Sequence, residues 1–86
     1  MSRPVVLVGH THSCPLHGPG HVTTGTESGL VHGEKVACVG DETSCGAKII
    51  SGSPGASIRG RAVARQGDST DHGGVLEQGD ARCMVP

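Results

Sequence analysis

Apolar residues in this chain come in short runs that end at glycine or at a polar turn residue. The runs at residues 4–9, 48–50 and 75–76 have the lengths of β-strands, and no segment shows the 3.6-residue apolar period of an amphipathic helix. Residues 56–65 predict a hairpin around Gly60, because two strand-like segments flank a glycine turn. The pattern therefore predicts an all-β fold built from short hairpins.

One glycine-punctuated pattern occurs twice, in residues 33–53 and 60–80, and the two copies superpose without a gap at a constant offset of 27 residues. The superposed positions are Gly33 on Gly60, Val36 on Val63, Ala37 on Ala64, Gly40 on Gly67, Asp41 on Asp68, Thr43 on Thr70, Gly46 on Gly73 and Gly52 on Gly79. Identical spacing in two copies predicts one supersecondary unit that the chain uses repeatedly.

A third and more diverged copy precedes these two. If one extra residue is allowed before Gly25, His17 falls on the position of Cys45 and His72. We therefore predict one domain with pseudo-threefold internal repeats, with units at about 9–32, 33–59 and 60–80. The tail at 81–86 has no match in the other units, and we expect it to be loosely attached.

The composition indicates that this fold needs stabilisation beyond its apolar core. The chain has 86 residues and no Phe, Tyr or Trp, so it lacks the side chains that normally dominate a small core. Domains of this kind usually depend on a metal, on disulfides or on a partner chain. Four cysteines and six histidines supply the candidates for a metal site.

Four of these residues predict a closed zinc site. If the units pack around one axis, the equivalent residues His17, Cys45 and His72 are expected to meet near it. Cys14 precedes His17 by three residues, which is a spacing that lets both side chains reach one ion. Two sulfurs and two nitrogens make a tetrahedral zinc set, one per chain, that is structural because no vertex is left for a reactive water. Its binding would add on the order of 10 kcal/mol to folding.

Other assignments of these side chains stay open. His10 and His12 compete with Cys14 for the same vertex, because residues spaced by two share one face of an extended chain. Lone cysteines often pack as small apolar residues, and lone histidines are often solvated. We assign the solvated role to His21 and His32. We interpret Cys38 and Cys83 as unliganded thiols, with a disulfide between them unsupported.

Several functional classes are disfavoured. The net charge of -1 without a basic block indicates no nucleic-acid partner. No apolar run could span a bilayer or serve as a signal-peptide core, so we expect a soluble protein that is exported without a signal peptide.

The Gly-Asp pairs at 40–41 and 67–68 predict turns in which Asp caps its own backbone. With no catalytic motif beside them, we expect no enzymatic activity.

The chain also contains five short motifs: Cys14-Pro-Leu-His-Gly18, Gly52-Ser-Pro54, Ile58-Arg-Gly60-Arg-Ala-Val-Ala-Arg65, Gly67-Asp68 and Asp71-His-Gly-Gly74. Taken together, these motifs resemble those of the PAAR-repeat family, whose members form the tip of the type VI secretion spike. The chain has Ala62-Val-Ala-Arg65 in place of the name-giving Pro-Ala-Ala-Arg, and Cys45 stands where the family typically has a histidine in a set of three histidines and one cysteine. The resemblance covers about residues 9–80.

The resemblance implies a small cone of β-hairpins with a metal near its apex. Its base would sit on the blunt end of a trimeric valine–glycine-repeat (VgrG-type) β-helix spike, one tip per trimer. Such a tip caps and sharpens the spike, contacts the target membrane transiently and recruits effectors by contact. It would stay in the bacterial cytoplasm before firing and then reach the target cell or the medium.

Three rival functions remain at this point. The same tip could belong to a contractile phage tail. A free-standing structural zinc module would need an exposed basic or aromatic surface to bind its partner. A small metalloenzyme would need an open vertex on the metal.

Overall fold

The computed structural model describes residues 2–15 and 18–86, which form short strands and tight turns with no helix, and hence no membrane-crossing helix, within those ranges. The molecule measures 29 × 25 × 23 Å along its principal axes. The all-β prediction is confirmed. The strands of the described residues are β1 (Arg3–Val5), β2 (Thr11–Cys14), β3 (Gly18–His21), β4 (Thr26–Val31), β5 (Glu34–Val36), β6 (Ser57–Ile58), β7 (Arg61–Ala62), β8 (Val75–Leu76) and β9 (Asp80–Val85).

A ring of three backbone hydrogen bonds closes around the centre of the molecule. The N–H of Val6 donates to the carbonyl of Ala64 at 3.0 Å, and that of Ala37 donates to Val6 at 2.9 Å. The N–H of Ala64 completes the ring by donating to Ala37 at 2.9 Å. All three residues are fully buried. The three residues precede the equivalent glycines Gly9, Gly40 and Gly67 by three positions each, although Val6 lies just before the predicted first unit. Because each repeat donates once and accepts once, the predicted pseudo-threefold arrangement is confirmed.

A second ring joins neighbouring units farther along the chain. In each of its three bonds, the residue that follows a buried apolar side chain (Val22, Ile49 or Leu76) donates its N–H to a carbonyl of the next unit. These bonds run from Thr23 to Glu42 at 2.9 Å, from Ile50 to Ser69 at 3.0 Å and from Glu77 to Thr11 at 3.0 Å. The first ring donates from each unit to the preceding one and the second from each unit to the following one, so each unit is bonded through its backbone to both of its neighbours.

Two antiparallel hairpins lie at the junctions between units, β4 with β5 and β6 with β7, and β9 pairs with β1 in an equivalent antiparallel pair that we count as the third hairpin. The third hairpin joins the two ends of the described chain, with Arg3 opposite Val85 and Pro4 opposite Met84. The expectation of a loose tail at 81–86 is therefore wrong. The tail has no match in the repeat because its partner strand lies more than 70 residues earlier in the sequence.

We expect deletion of residues 81–86 to lower the free energy of unfolding by about 2 kcal/mol or more, because it removes the partner strand of β1 and uncovers the buried Val5. Urea unfolding of the truncated chain checks this result. Met84→Lys is the matched control, since this side chain is exposed and its replacement is expected to change stability by less than about 0.5 kcal/mol. Equal midpoints for the truncated and full chains would contradict the prediction.

The core consists of two apolar clusters on opposite sides of the central ring, because successive side chains of a strand point to opposite faces. The inner cluster contains Val6, Val22, Ala37, Ile49, Ala64 and Leu76. The base cluster contains Val5, Leu7, Val36, Cys38 and Val63, and the hairpins cover it with Val31, Ala56, Ile58, Cys83 and Val85. Beyond the inner cluster lie His12, Thr43 and Thr70, which are bridged to Leu76, Val22 and Ile49. The hairpins and the candidate site described next are therefore at opposite ends of the molecule.

Candidate metal centre

Cys45 and His72 lie in the same kind of turn, one in the second unit and one in the third. The glycine after each of them, Gly46 and Gly73, has φ of 83° and 78°, in the left-handed region that favours glycine. The N–H of each glycine donates to the carbonyl three residues earlier, at 2.9 and 3.1 Å. The repeat in the sequence thus places these two side chains in equivalent positions around the axis.

Cys14 completes a group of three donors. It is buried at the end of β2, the strand that pairs with β8 just after His72. The Sγ atoms of Cys14 and Cys45 each lie 3.9 Å from His72 Nδ1, and the three ligand atoms are all within 4.8 Å of one another. Donors on one tetrahedral zinc are about 3.5–3.8 Å apart, given the usual zinc–sulfur and zinc–nitrogen lengths. The three side chains therefore fit around a single ion.

His17, the fourth predicted ligand, lies outside the described residues. The glycine that follows it, Gly18, has φ of 76°, close to the values at Gly46 and Gly73. Gly18 shares only this φ with the other two glycines, because it begins β3 opposite Cys14 while Gly46 and Gly73 lie in turns. The prediction that His17 is a ligand stays a prediction.

His10 stabilises a backbone turn by accepting a hydrogen bond within it. Its Nδ1 accepts the N–H of Leu7 at 3.2 Å. Asp41 and Asp68 use a carboxylate oxygen for the same purpose, and each accepts the N–H of the residue three positions earlier at 2.7 Å. This is the capping role predicted for the Gly-Asp pairs, and His10 takes it in the first unit.

His12 is fully buried and approaches the group at Cys45, where its Nδ1 lies 4.0 Å from Sγ. Its Nε2 is 3.0 Å from the hydroxyl oxygen of Thr70. Burial lowers the pKa of His12, and the neighbouring His72 lowers it further, against a smaller raising effect of Glu77. Of the competitors for one vertex, Cys14 lies within the three-residue group, while His12 stands beside it.

Thr43 was not singled out from the sequence as part of the site, although Thr recurs after both Gly-Asp pairs. Its hydroxyl oxygen lies 3.3 Å from Cys45 Sγ. A hydrogen bond from Thr43, assisted by the backbone of Ala47 and by His72 and Cys14, lowers the pKa of Cys45 to about 7 despite an opposing effect of burial. The thiolate is the metal-binding form of cysteine, so this environment prepares Cys45 for ligation at neutral pH.

The remaining cysteines and histidines lie away from this group. Cys38 and Cys83 are free thiols at the base cluster. Burial, together with the charge of Asp41, raises the pKa of Cys38 against a lowering effect of Arg61. His21 and His32 are exposed.

The sequence model of the PAAR motif matches residues 1–51 and 17–78 of the chain. Comparison with curated proteins finds no match. PAAR motif proteins are structural components of the type VI secretion spike, are found at its tip and associate with a spike protein. Because the two matches together span most of the 86 residues, the chain belongs to the PAAR motif family.

Proposed function

We propose that this protein caps and sharpens the end of a trimeric VgrG-type β-helix spike, with one tip per trimer. The observation that carries the proposal is the closed ring of Val6, Ala37 and Ala64, which gives one chain three similar faces. A single chain with three quasi-equivalent faces can contact three identical chains in the same way, whereas an asymmetric chain could match only one.

The hairpin end is the surface that we assign to the spike. Leu30 on β4 and Met84 on β9 hold equivalent hairpin positions and are 59% and 47% exposed. Between the hairpins is an apolar cleft of about 430 Å³ whose lining includes Val36, Val63 and Val85. Exposed large apolar side chains around an apolar cleft are typical of a protein–protein contact.

At the opposite end, we propose a structural zinc ion, one per chain, held by Cys14, Cys45 and His72 with His17 as the fourth ligand. Two thiolates and two imidazoles favour zinc over magnesium or calcium. The bound ion would join side chains from all three units and would hold the end that meets the target. A fully ligated ion leaves no vertex for a reactive water, so the proposed role is structural and not enzymatic.

The location of the protein follows from this assembly. We propose that the tip joins the spike in the bacterial cytoplasm and leaves with it on firing into the target cell or the medium. Membrane contact would be transient. Effectors would bind directly to the tip and leave with it. Detection of the protein in the medium only when the spike is also released would test this route.

The docking proposal is tested with a matched pair of variants. We expect Leu30→Asp to weaken co-purification with a VgrG-type trimer by about tenfold or more, because the carboxylate would be buried against the spike without a partner. Ile50→Asp is the control, since Ile50 is 57% exposed but lies outside the hairpins.

Native mass spectrometry of the wild-type complex supplies the stoichiometry, which we expect to be one tip per three spike chains. Equal losses for the two variants, or one tip bound to each spike chain, would contradict the proposal. Binding to a phage-tail trimer but to no secretion spike would assign the same contact to a different particle.

A further inference from the structure

His12 occupies a place that the other two units give to threonine. It is bridged to a residue of the inner cluster that belongs to a neighbouring unit, as Thr43 and Thr70 also are. The third unit leaves room for its ring at Gly74, because a Cβ there would lie 2.5 Å from His12 Nε2 and 2.9 Å from Thr70 Oγ1. The second unit has Ala47 at the equivalent position. The first unit's imidazole therefore sits in a niche formed by the third unit.

The hydrogen bonds of Thr70 determine which ring nitrogen of His12 carries the proton. The N–H of Gly74 donates to Thr70 Oγ1 at 3.2 Å, which uses one lone pair of the hydroxyl. Among the described residues, the acceptor within reach of the hydroxyl proton is His12 Nε2, at 3.0 Å. Nε2 is therefore the bare nitrogen, and the single proton of the neutral ring lies on Nδ1.

The protonated nitrogen faces the Cys45 sulfur. Nδ1 lies 4.0 Å from Cys45 Sγ, and the hydroxyl of Thr43 approaches the same sulfur at 3.3 Å. A metal-bound cysteine is a thiolate, which accepts hydrogen bonds and donates none. The contacts from Thr70 to His12 and from His12 to Cys45 link the third, first and second units in that order.

We propose that His12 is a positioning residue of the metal centre, which donates its Nδ1–H to the Cys45 thiolate while Thr70 holds the ring in that tautomer. This inference rests on the proposed metal site. It assigns His12 a role outside the ligand set, where hydrogen bonds orient a ligand and tune its affinity for the metal.

Zinc affinity of the full chain, measured by competition with a chelator, tests the proposal. We expect His12→Leu to weaken zinc binding about 10–100-fold, the usual effect of losing a partner of a ligand. His12→Asn keeps an amide N–H near the position of Nδ1, and we expect it to restore most of the affinity. The exposed His21→Leu is the control and should bind zinc like the wild type. Equal losses for His12→Leu and His12→Asn would overturn the proposal, because they would show that an N–H near the position of Nδ1 makes no difference to zinc binding.

Nitrogen NMR of the wild-type chain loaded with cadmium-113 gives a second test that does not depend on the folding of any variant. We expect His12 Nδ1 to carry a proton and to show no coupling to the metal. A coupling between Nδ1 and cadmium would make His12 a ligand and would overturn the proposal while leaving the metal centre intact. A wild-type chain that binds no stoichiometric metal would overturn both.

Discussion

Removal of the metal is expected to unfold this protein. A structural zinc contributes about 10–16 kcal/mol of apparent binding free energy at neutral pH, whereas the whole stability of a small domain is about 5–15 kcal/mol. The two apolar clusters consist mainly of Val, Ala, Leu and Ile and contain no aromatic residue. Chelation should therefore abolish the β-sheet circular dichroism and the dispersion of amide NMR signals, and one equivalent of zinc should restore both.

A matched pair of thiol variants separates the loss of a ligand from the loss of a cysteine. Cys14→Ser removes a buried member of the three-residue group, and we expect it to lose stoichiometric zinc in elemental analysis. Cys83→Ser changes a partly buried thiol at the base cluster, and we expect it to keep one zinc per chain. A chelated wild-type chain that keeps its cooperative unfolding transition at the same midpoint would contradict the prediction.

The repeat could be predicted from the sequence because its turns need glycine at fixed positions. Gly9, Gly40 and Gly67 have φ of 95°, 95° and 93°, so all three units turn in the same way at these positions. The same comparison places His10 on Asp41 and Asp68 and could have indicated its capping role. The third hairpin could not be found in this way, since its two strands come from opposite ends of the chain and share no local turn.

The candidate site was accessible to sequence reasoning only in part. Cys45 and His72 follow from their equivalence in the repeat, and Cys14 was proposed from its closeness to His17 in the sequence. The register that places His10 on Asp41 and Asp68 also places Cys14 on Cys45 and His72, a match that the alignment through His17 missed. The contact between His12 and Thr70 joins residues 58 positions apart and depends on the room left by Gly74. Such a contact arises from the packing of one unit on another, and it leaves no signal in the spacing within either unit.

Replacement of Asp68 by asparagine is expected to lower the free energy of unfolding by about 3 kcal/mol, the lower end of the cost of breaking a buried ion pair. The side chain of Asp68 is 2% exposed. Its oxygens accept bonds from the backbone N–H of Arg65 at 2.7 Å and from the guanidinium of Arg65 at 2.9 and 3.1 Å. Arg3 and Ser51 donate to it as well, each at 3.1 Å. Asparagine cannot offset the two arginine charges.

The pH dependence of this loss follows from the pKa of Asp68. Burial acts to raise the pKa, but the side-chain and backbone hydrogen bonds of Arg65, its charge and the hydroxyl of Ser51 lower it on balance. The folded-state value therefore lies below the unfolded value of about 3.9. The stabilisation is complete above the unfolded pKa and is lost as the pH falls through the folded pKa. Urea unfolding should show the same loss at every pH from about 5 to 8.

Asp41 provides the matched control for Asp68, because it makes the same turn with a weaker partner. It accepts the N–H of Cys38 at 2.7 Å, while its ion pair with the half-exposed Arg61 spans 3.5 Å. We expect Asp41→Asn to cost about 1 kcal/mol, the usual net value of one hydrogen bond. Equal losses at the two sites would mean that the turn alone accounts for the effect. A loss at Asp68 that changes between pH 5 and 8 would show that another titrating group is responsible, since Asp68 is ionised throughout that range in both the folded and the unfolded state.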